Sequence, residues 1–163
     1  MSNSSDGIAI IGLGNTLRRD DGIGIHILAI LEKKLKRPDI SFLNFGIASF
    51  GLVNYINSFK KVLLIDAIEA GLQPATLKIF KLDEASYNVK EKKLSSHELS
   101  LNDLLGLCNT LGVSSDIQIA GIQVKDTSYG LEMTGELQSA KSRIAQEIHK
   151  FIAAWDLKWS PSA

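Results

Sequence analysis

Short apolar runs alternate along the chain with stretches of helical periodicity. Residues 8–12, Ile-Ala-Ile-Ile-Gly, are continuously apolar and rich in β-branched side chains, the pattern of a central parallel strand covered on both faces. Ile23, Ile27, Ile30 and Leu31 then recur at helical spacing, and the cations of residues 33–37 gather at the helix C-terminus before Pro38. Residues 40–45 read as a second strand, 51–58 as a short helix, and 62–65 as a third strand ending at Asp66. Residues 76–82 alternate apolar and polar positions, so this strand is expected to have one wetter face. Only the loop 67–75 precedes it, which makes it antiparallel and places it near a sheet edge. A polar stretch, 83–93, leads to Ser95 and Glu98, which have capping-box spacing ahead of an apolar helix through Leu111. Residues 116–124 form a last strand, and 136–155 a last helix with Leu137, Ile144, Ile148 and Ile152 on its apolar side and Thr134 as N-cap.

The order β-α-β-α-β-β-α-β-α predicts a three-layer α/β/α sandwich around a mostly parallel five-stranded sheet with one antiparallel edge strand. One domain is expected over residues 1–163, with its core in 8–155 and a fraying tail from Asp156. Ligands in such sheets sit beyond the carboxyl ends of the strands, so the loops after Leu13, Phe45, Ile65 and Val124 should share the functional edge.

Composition narrows the partners. Eighteen basic and eighteen acidic residues cancel, so no broad field recruits nucleic acid or an anionic membrane. The single cysteine, Cys108, cannot form an internal disulfide, the first residues lack a secretory pattern, and no apolar run approaches the ~20 residues that span a bilayer. A cytoplasmic location is expected. Cys108 lies among Leu104, Leu105, Leu107 and Leu111, the surroundings of a buried thiol, and no Gly-x-Ser-x-Gly, Walker, Cys-x-x-Cys or His-Glu-x-x-His motif occurs.

The candidate chemistry begins in the turn after the first strand, where Gly12, Gly14 and Asn15 precede the acid pair Asp20 and Asp21, closed by Gly22 and Gly24. Glycines let a ligand approach the backbone, whereas two adjacent acids make a poor phosphate cradle and a plausible cation site. Asp21 could also simply cap the first helix, and Asp66 could brace the loop that follows it. His97 falls in the first turn of its helix if Ser95 is the N-cap, where the dipole favours a neutral, ligating ring. His26 and His149 read as structural or surface positions. Asp21, Asp66 and His97 would together supply an O,O,N set suited to nickel or zinc, with open positions for an exchangeable ligand. A nucleotide- or cofactor-binding module is the alternative, although Leu17 stands where Gly-x-G-x-x-Gly needs its third glycine.

The motif Gly12-x-Gly14-Asn15-x-Leu17-x-x-Asp20-Asp21-Gly22-x-Gly24 resembles that of the hydrogenase maturation proteases. The likeness continues at Leu64-Ile65-Asp66-Ala67 and at residues 94–101, Leu-Ser-Ser-His-Glu-Leu-Ser-Leu, in the same order. The resemblance implies an endopeptidase that recognises nickel in the precursor of a nickel-iron hydrogenase large subunit and removes its C-terminal extension. By the same resemblance Asp21, Asp66 and His97 contact a nickel supplied by the substrate, for which cadmium or zinc could substitute in crystals. It also implies a monomer with a substrate groove that includes Gly12, Gly14, Asn15, Asp20 and Gly46. A chaperone that binds precursor without cutting it is a further alternative. Two segments depart from the family pattern: Asn44-Phe45-Gly46-Ile47-Ala48 replaces an acid followed by Gly-Gly-Thr, and Gly121-Ile122-Gln123-Val124 lacks the usual proline.

Overall fold

The computed structural model describes residues 5–47, 50–84 and 100–157. They form β1 (Ser5–Leu13), α1 (Ile23–Lys34), β2 (Ile40–Gly46), α2 (Gly51–Ile56), β3 (Phe59–Ile68), β4 (Leu77–Lys81), α3 (Leu101–Thr110), β5 (Asp116–Gln123) and α4 (Gly135–Leu157). The five strands make one sheet in the order β2-β1-β3-β5-β4. β1, β2, β3 and β5 run parallel, and β4 pairs antiparallel with β5 at the edge.

Strand alternation divides the core in two. Ile8 and Ile10 of β1, Leu63 and Ile65 of β3, and Ala120 and Ile122 of β5 pack against Ile27 and Leu31 of α1 and Ile144 and Ile148 of α4. Ala9, Ile11, Leu64 and Ile119 point the other way, onto Leu52 and Ile56 of α2 and Leu104 and Cys108 of α3. Because both faces are covered, residues 8–13 of β1 and 62–65 of β3 read as continuous apolar runs. Each fully buried Ile or Leu of this kind stabilises by about 1.5–3 kcal/mol relative to exposure. The expected sandwich, including its antiparallel edge strand, is the observed one.

Two local readings change. β3 runs on to Ile68 rather than ending at Asp66, because its ladder with β5 continues through Asp66↔Gly121 to Ile68↔Gln123. The carboxylate is therefore inside a strand. The capping box of α3 is made by Ser100 and Asp103: the Ser100 hydroxyl accepts from Asp103 N at 3.1 Å, and Asp103 Oδ2 accepts from Ser100 N at 3.0 Å. Ser95 and Glu98, which have the same spacing, lie outside the described residues.

From β1 the chain passes to β2 on one side, whereas β3, β5 and β4 lie on the other. Loops leaving the carboxyl ends of β1 and β3 therefore diverge, and the gap between them is the switch point at which open α/β sheets bind ligands. The turn holding Asp20 and Asp21 follows β1, and Asp66 belongs to β3.

Candidate functional site

The turn after β1 is fastened by its own backbone. Gly14 N donates to the Gly46 carbonyl at 2.8 Å, so the last residue of β2 anchors the loop leaving β1. Gly14 has φ +138°, and a Cβ there would lie 2.1 Å from Asp21 O. Gly24, in the first turn of α1, is equally constrained: a Cβ would lie 2.3 Å from Ile65 O and 2.4 Å from Leu13 O. These positions are glycine so that α1 can seat its start between the ends of β1 and β3. The room they create is filled by the protein's own backbone. A nucleotide reading loses its footing here, since the amide of Gly14 is already committed within the fold.

Asn15 closes the turn twice, its Oδ1 accepting from Leu17 N at 2.9 Å and its N–H donating to Asp21 Oδ2 at 3.0 Å. Residues Arg19–Gly22 then form a 3-10 turn that leads directly into α1. The N-cap of α1 is Gly22, with no side-chain cap bond, so neither acid caps the helix.

The two adjacent acids have separate surroundings. Asp20 is completely buried, and its carboxylate accepts from Lys125 N (3.0 Å), Asp126 N (3.0 Å) and Thr134 N (2.7 Å), and from the Thr134 hydroxyl. It thereby clamps the loop after β5 to the turn after β1. Backbone bonds from Arg19 N to Gly130 O and from Asp20 N to Asp126 O reinforce the clamp. Thr134 does stand at the residue before α4, but its hydroxyl is turned toward Asp20.

Asp21 is also fully buried, and its 3-10 turn packs against β3. Asp66, 1% exposed, has the parity of Val62, Leu64 and Ile68, which face α2 and α3, and its Oδ1 accepts from Ala67 N at 2.8 Å. Two buried carboxylates thus stand on the two elements that border the switch point. The third member of the expected set, His97, lies outside the described residues, and among the described residues no three His, Cys, Asp or Glu side chains are grouped to hold an ion. Gly12 is in register with Asn44 on β2 and with Ile65 on β3, next to the same edge.

Two supporting residues escaped the sequence reading. One is Thr134 in its role toward Asp20. The other is Gln123, which is 2% exposed and whose Oε1 accepts from Ala70 N and Leu72 N while its Nε2 donates to Glu69 Oε1 and Val124 O. Three of this amide's four hydrogen bonds shape the loop leaving β3, and the fourth goes to the neighbouring Val124 carbonyl. The sequence signal of Gln123 is a polar residue at the end of an otherwise apolar run, and that of Thr134 is its place before the last helix.

Charges on the rim are held in place by neighbours. The hydrogen bond to Glu136 raises Lys125 and, reciprocally, lowers Glu136, while a hydrogen bond from Ser128 lowers Asp126, with Arg19 a smaller influence. Burial pushes the Cys108 thiol up, the opposite of what an activated nucleophile needs. His26 is lowered, first by burial and then by Lys141. The arrangement can offer fixed carboxylate oxygens to a cation or a water. It offers no activated thiol.

A family model described as hydrogenase maturation protease matches residues 25–151, a stretch that contains Asp66 and begins beyond Asp21. The hydrogenase expression/formation protein HupM of Azotobacter chroococcum is 30% identical over 76% of this chain and 60% of its own length. The chain spans about three fifths of the length of the first curated relatives it matches. The crystal structure of the NiFe hydrogenase maturation protease HycI from Thermococcus kodakarensis superposes with TM-score 0.70 at 27% identity, covering 88% of this chain and 90% of that one. The hydrogenase maturating endopeptidase HybD from Escherichia coli has TM-score 0.76 at 22% identity, over 87% and 89% of the two chains, a likeness of fold.

Proposed function

The chain belongs to the hydrogenase maturation protease family, and we propose that it is an endopeptidase that trims the C-terminal extension from the precursor of a nickel-iron hydrogenase large subunit. In this reading nickel already installed in the precursor is the feature recognised, and Asp21, Asp66 and His97 are its contacts. The observation that carries the proposal is the pair of buried carboxylates, Asp21 and Asp66, on the two elements that flank the β1/β3 switch point.

Physically, the precursor's own metal acts as a checkpoint. Carboxylates held in place before the substrate arrives add binding energy only when a cation is delivered to them, and a metal-free tail gains nothing from them. Two routes to peptide hydrolysis use the same residues: the substrate's ion polarises the scissile carbonyl, or a carboxylate such as Asp66 activates a water. Asp20, saturated by donors from the loop after β5, keeps the turn that carries Asp21 in place.

The experiment is to incubate the purified protein with nickel-loaded and with nickel-free precursor and to follow the loss of the extension by mass spectrometry. Cleavage of the nickel-loaded form alone is expected. Equal rates for both forms overturn the checkpoint, and full activity in Asp21→Asn and Asp66→Asn overturns the site.

A further inference from the structure

Among the described residues, the most exposed large apolar side chains are unevenly distributed. Leu17, Ile47, Phe50, Leu72, Tyr129 and Leu131 lie in loops that leave carboxyl ends of strands, and Leu111 lies at the opposite edge. Three of the six belong to one braced unit. Gly130 N donates to Leu17 O and Arg19 N donates to Gly130 O, both at 2.9 Å, joining Arg18 and Gly130 in a parallel bridge. On this bridge Leu17, Tyr129 and Leu131 are 58%, 79% and 75% exposed. The Arg18 guanidinium sits 5.1 Å from the Tyr129 ring centre, and its Nε donates to Thr127 O at 2.9 Å.

The unit is held rigidly from below, because the Asp20 carboxylate fastens Lys125, Asp126 and Thr134, which bracket the loop carrying Tyr129 and Leu131. Arg19 has φ +42°, a left-handed conformation that costs a non-glycine residue about 1 kcal/mol or more and persists only where neighbours impose it. A strained, clamped backbone preorganises the apolar side chains it carries for contact, since less backbone freedom remains to be lost on binding. Tyrosine and arginine side by side within an apolar patch are typical of the centre of a protein interface.

We propose that Leu17, Arg18, Tyr129 and Leu131 form a docking face for the folded body of the precursor, separate from the carboxylates that meet its metal. The inference rests on the peptidase reading above. The occupant follows from continuity: Leu17 and Asp21 lie in one turn, and Asn15 ties the base of that turn to the Asp21 carboxylate. A protein whose tail reaches Asp21 therefore has its body beside Leu17 and the residues bridged to it.

The test compares the full-length wild-type chain with Tyr129→Ser/Leu131→Ser, with Leu17→Ser as an independent second variant. Leu111→Ser is the control at the opposite edge. Affinity for immobilised nickel-loaded precursor and cleavage across a range of precursor concentrations are both measured, after circular dichroism shows the wild-type spectrum. The double variant is expected to weaken binding and raise KM by about tenfold or more, with kcat changing far less, and Leu17→Ser to act in the same direction by a smaller factor. Unchanged affinity and KM in both variants overturn the docking face while leaving the peptidase reading intact. A wild-type protein that binds precursor through this face but never cuts it overturns the peptidase reading alone. A wild-type dimer that the double variant dissolves assigns the face to a second copy of the chain and overturns the proposal, as does a loss confined to binding of anionic vesicles.

Discussion

At the carboxyl edge of the sheet, Asp20, Asp21 and Asp66 are buried, and the hydrogen bonds described for them come from backbone amides and the Thr134 hydroxyl. At the amino edge the acids are more exposed and take side-chain partners. Asp116 accepts from the Trp155 indole at 3.0 Å and from Gln118 at 3.3 Å, and Arg37 bridges Asp39 and Asp156. Amide donors orient a carboxylate without cancelling its charge, whereas a guanidinium neutralises it on the spot. One edge therefore uses its buried acids to fix the backbone of its loops, whereas the other uses its acids to close the fold through side chains.

The comparison is broken most severely at Asp20. Asp20→Ala deprives the amides of Lys125, Asp126 and Thr134 of their acceptor together, with an expected loss of about 3 kcal/mol or more in urea unfolding, and precursor processing falls with it. Gly24→Ala is expected to be similarly damaging, by about 3 kcal/mol, because the new Cβ meets two backbone carbonyls that cannot move independently of β1 and β3. At the amino edge Asp116→Ala removes an acceptor from a half-wet site and should cost about 1 kcal/mol, leaving processing at the wild-type rate. Arg37→Gln should cost about 0.5 kcal/mol or less, a difference that added salt erases, as for other exposed ion pairs. A loss at Arg37 equal to that at Asp20 would dissolve the contrast between the edges.

The smallest effect is one of pH. Burial holds His26 below its ordinary value of 6.5, so the unfolded chain takes up the proton first. His26 therefore contributes its stability fully above about pH 6.5 and loses it as pH falls through the range beneath. The fall in the urea midpoint between about pH 7.5 and about pH 5.5 should be smaller in His26→Gln than in the wild type, and an unchanged fall removes His26 from the account.

Much of this was legible in the sequence, because the strands are covered on both sides and so declare themselves as unbroken apolar runs. That Asp21 and Asp66 lie toward one edge followed from chain order, since the carboxyl ends of parallel strands share an edge whatever their sequence separation. The division of labour between Asp20 and Asp21 was not legible. Two adjacent aspartates look alike locally, and the partners of Asp20 stand 105, 106 and 114 residues further along. Local spacing likewise could not choose the helix start, as Ser95 with Glu98 and Ser100 with Asp103 carry the same signature and only the latter pair falls in the described residues as a cap. Gln123 was hidden for a related reason: three of its four partners, Glu69, Ala70 and Leu72, belong to a loop whose path depends on the strand beneath it.

The bond between Asp20 and Thr134 also has a meaning in time. Contacts between residues so far apart carry a large loop-closure entropy, which slows their formation. During synthesis β1 emerges early, yet the clamp on Asp20 waits for the loop after β5 and is finished only at Thr134, just before α4. The nascent chain thus carries both halves of its switch point before it carries the strap that shapes them, so the site is completed only as α4 is laid down.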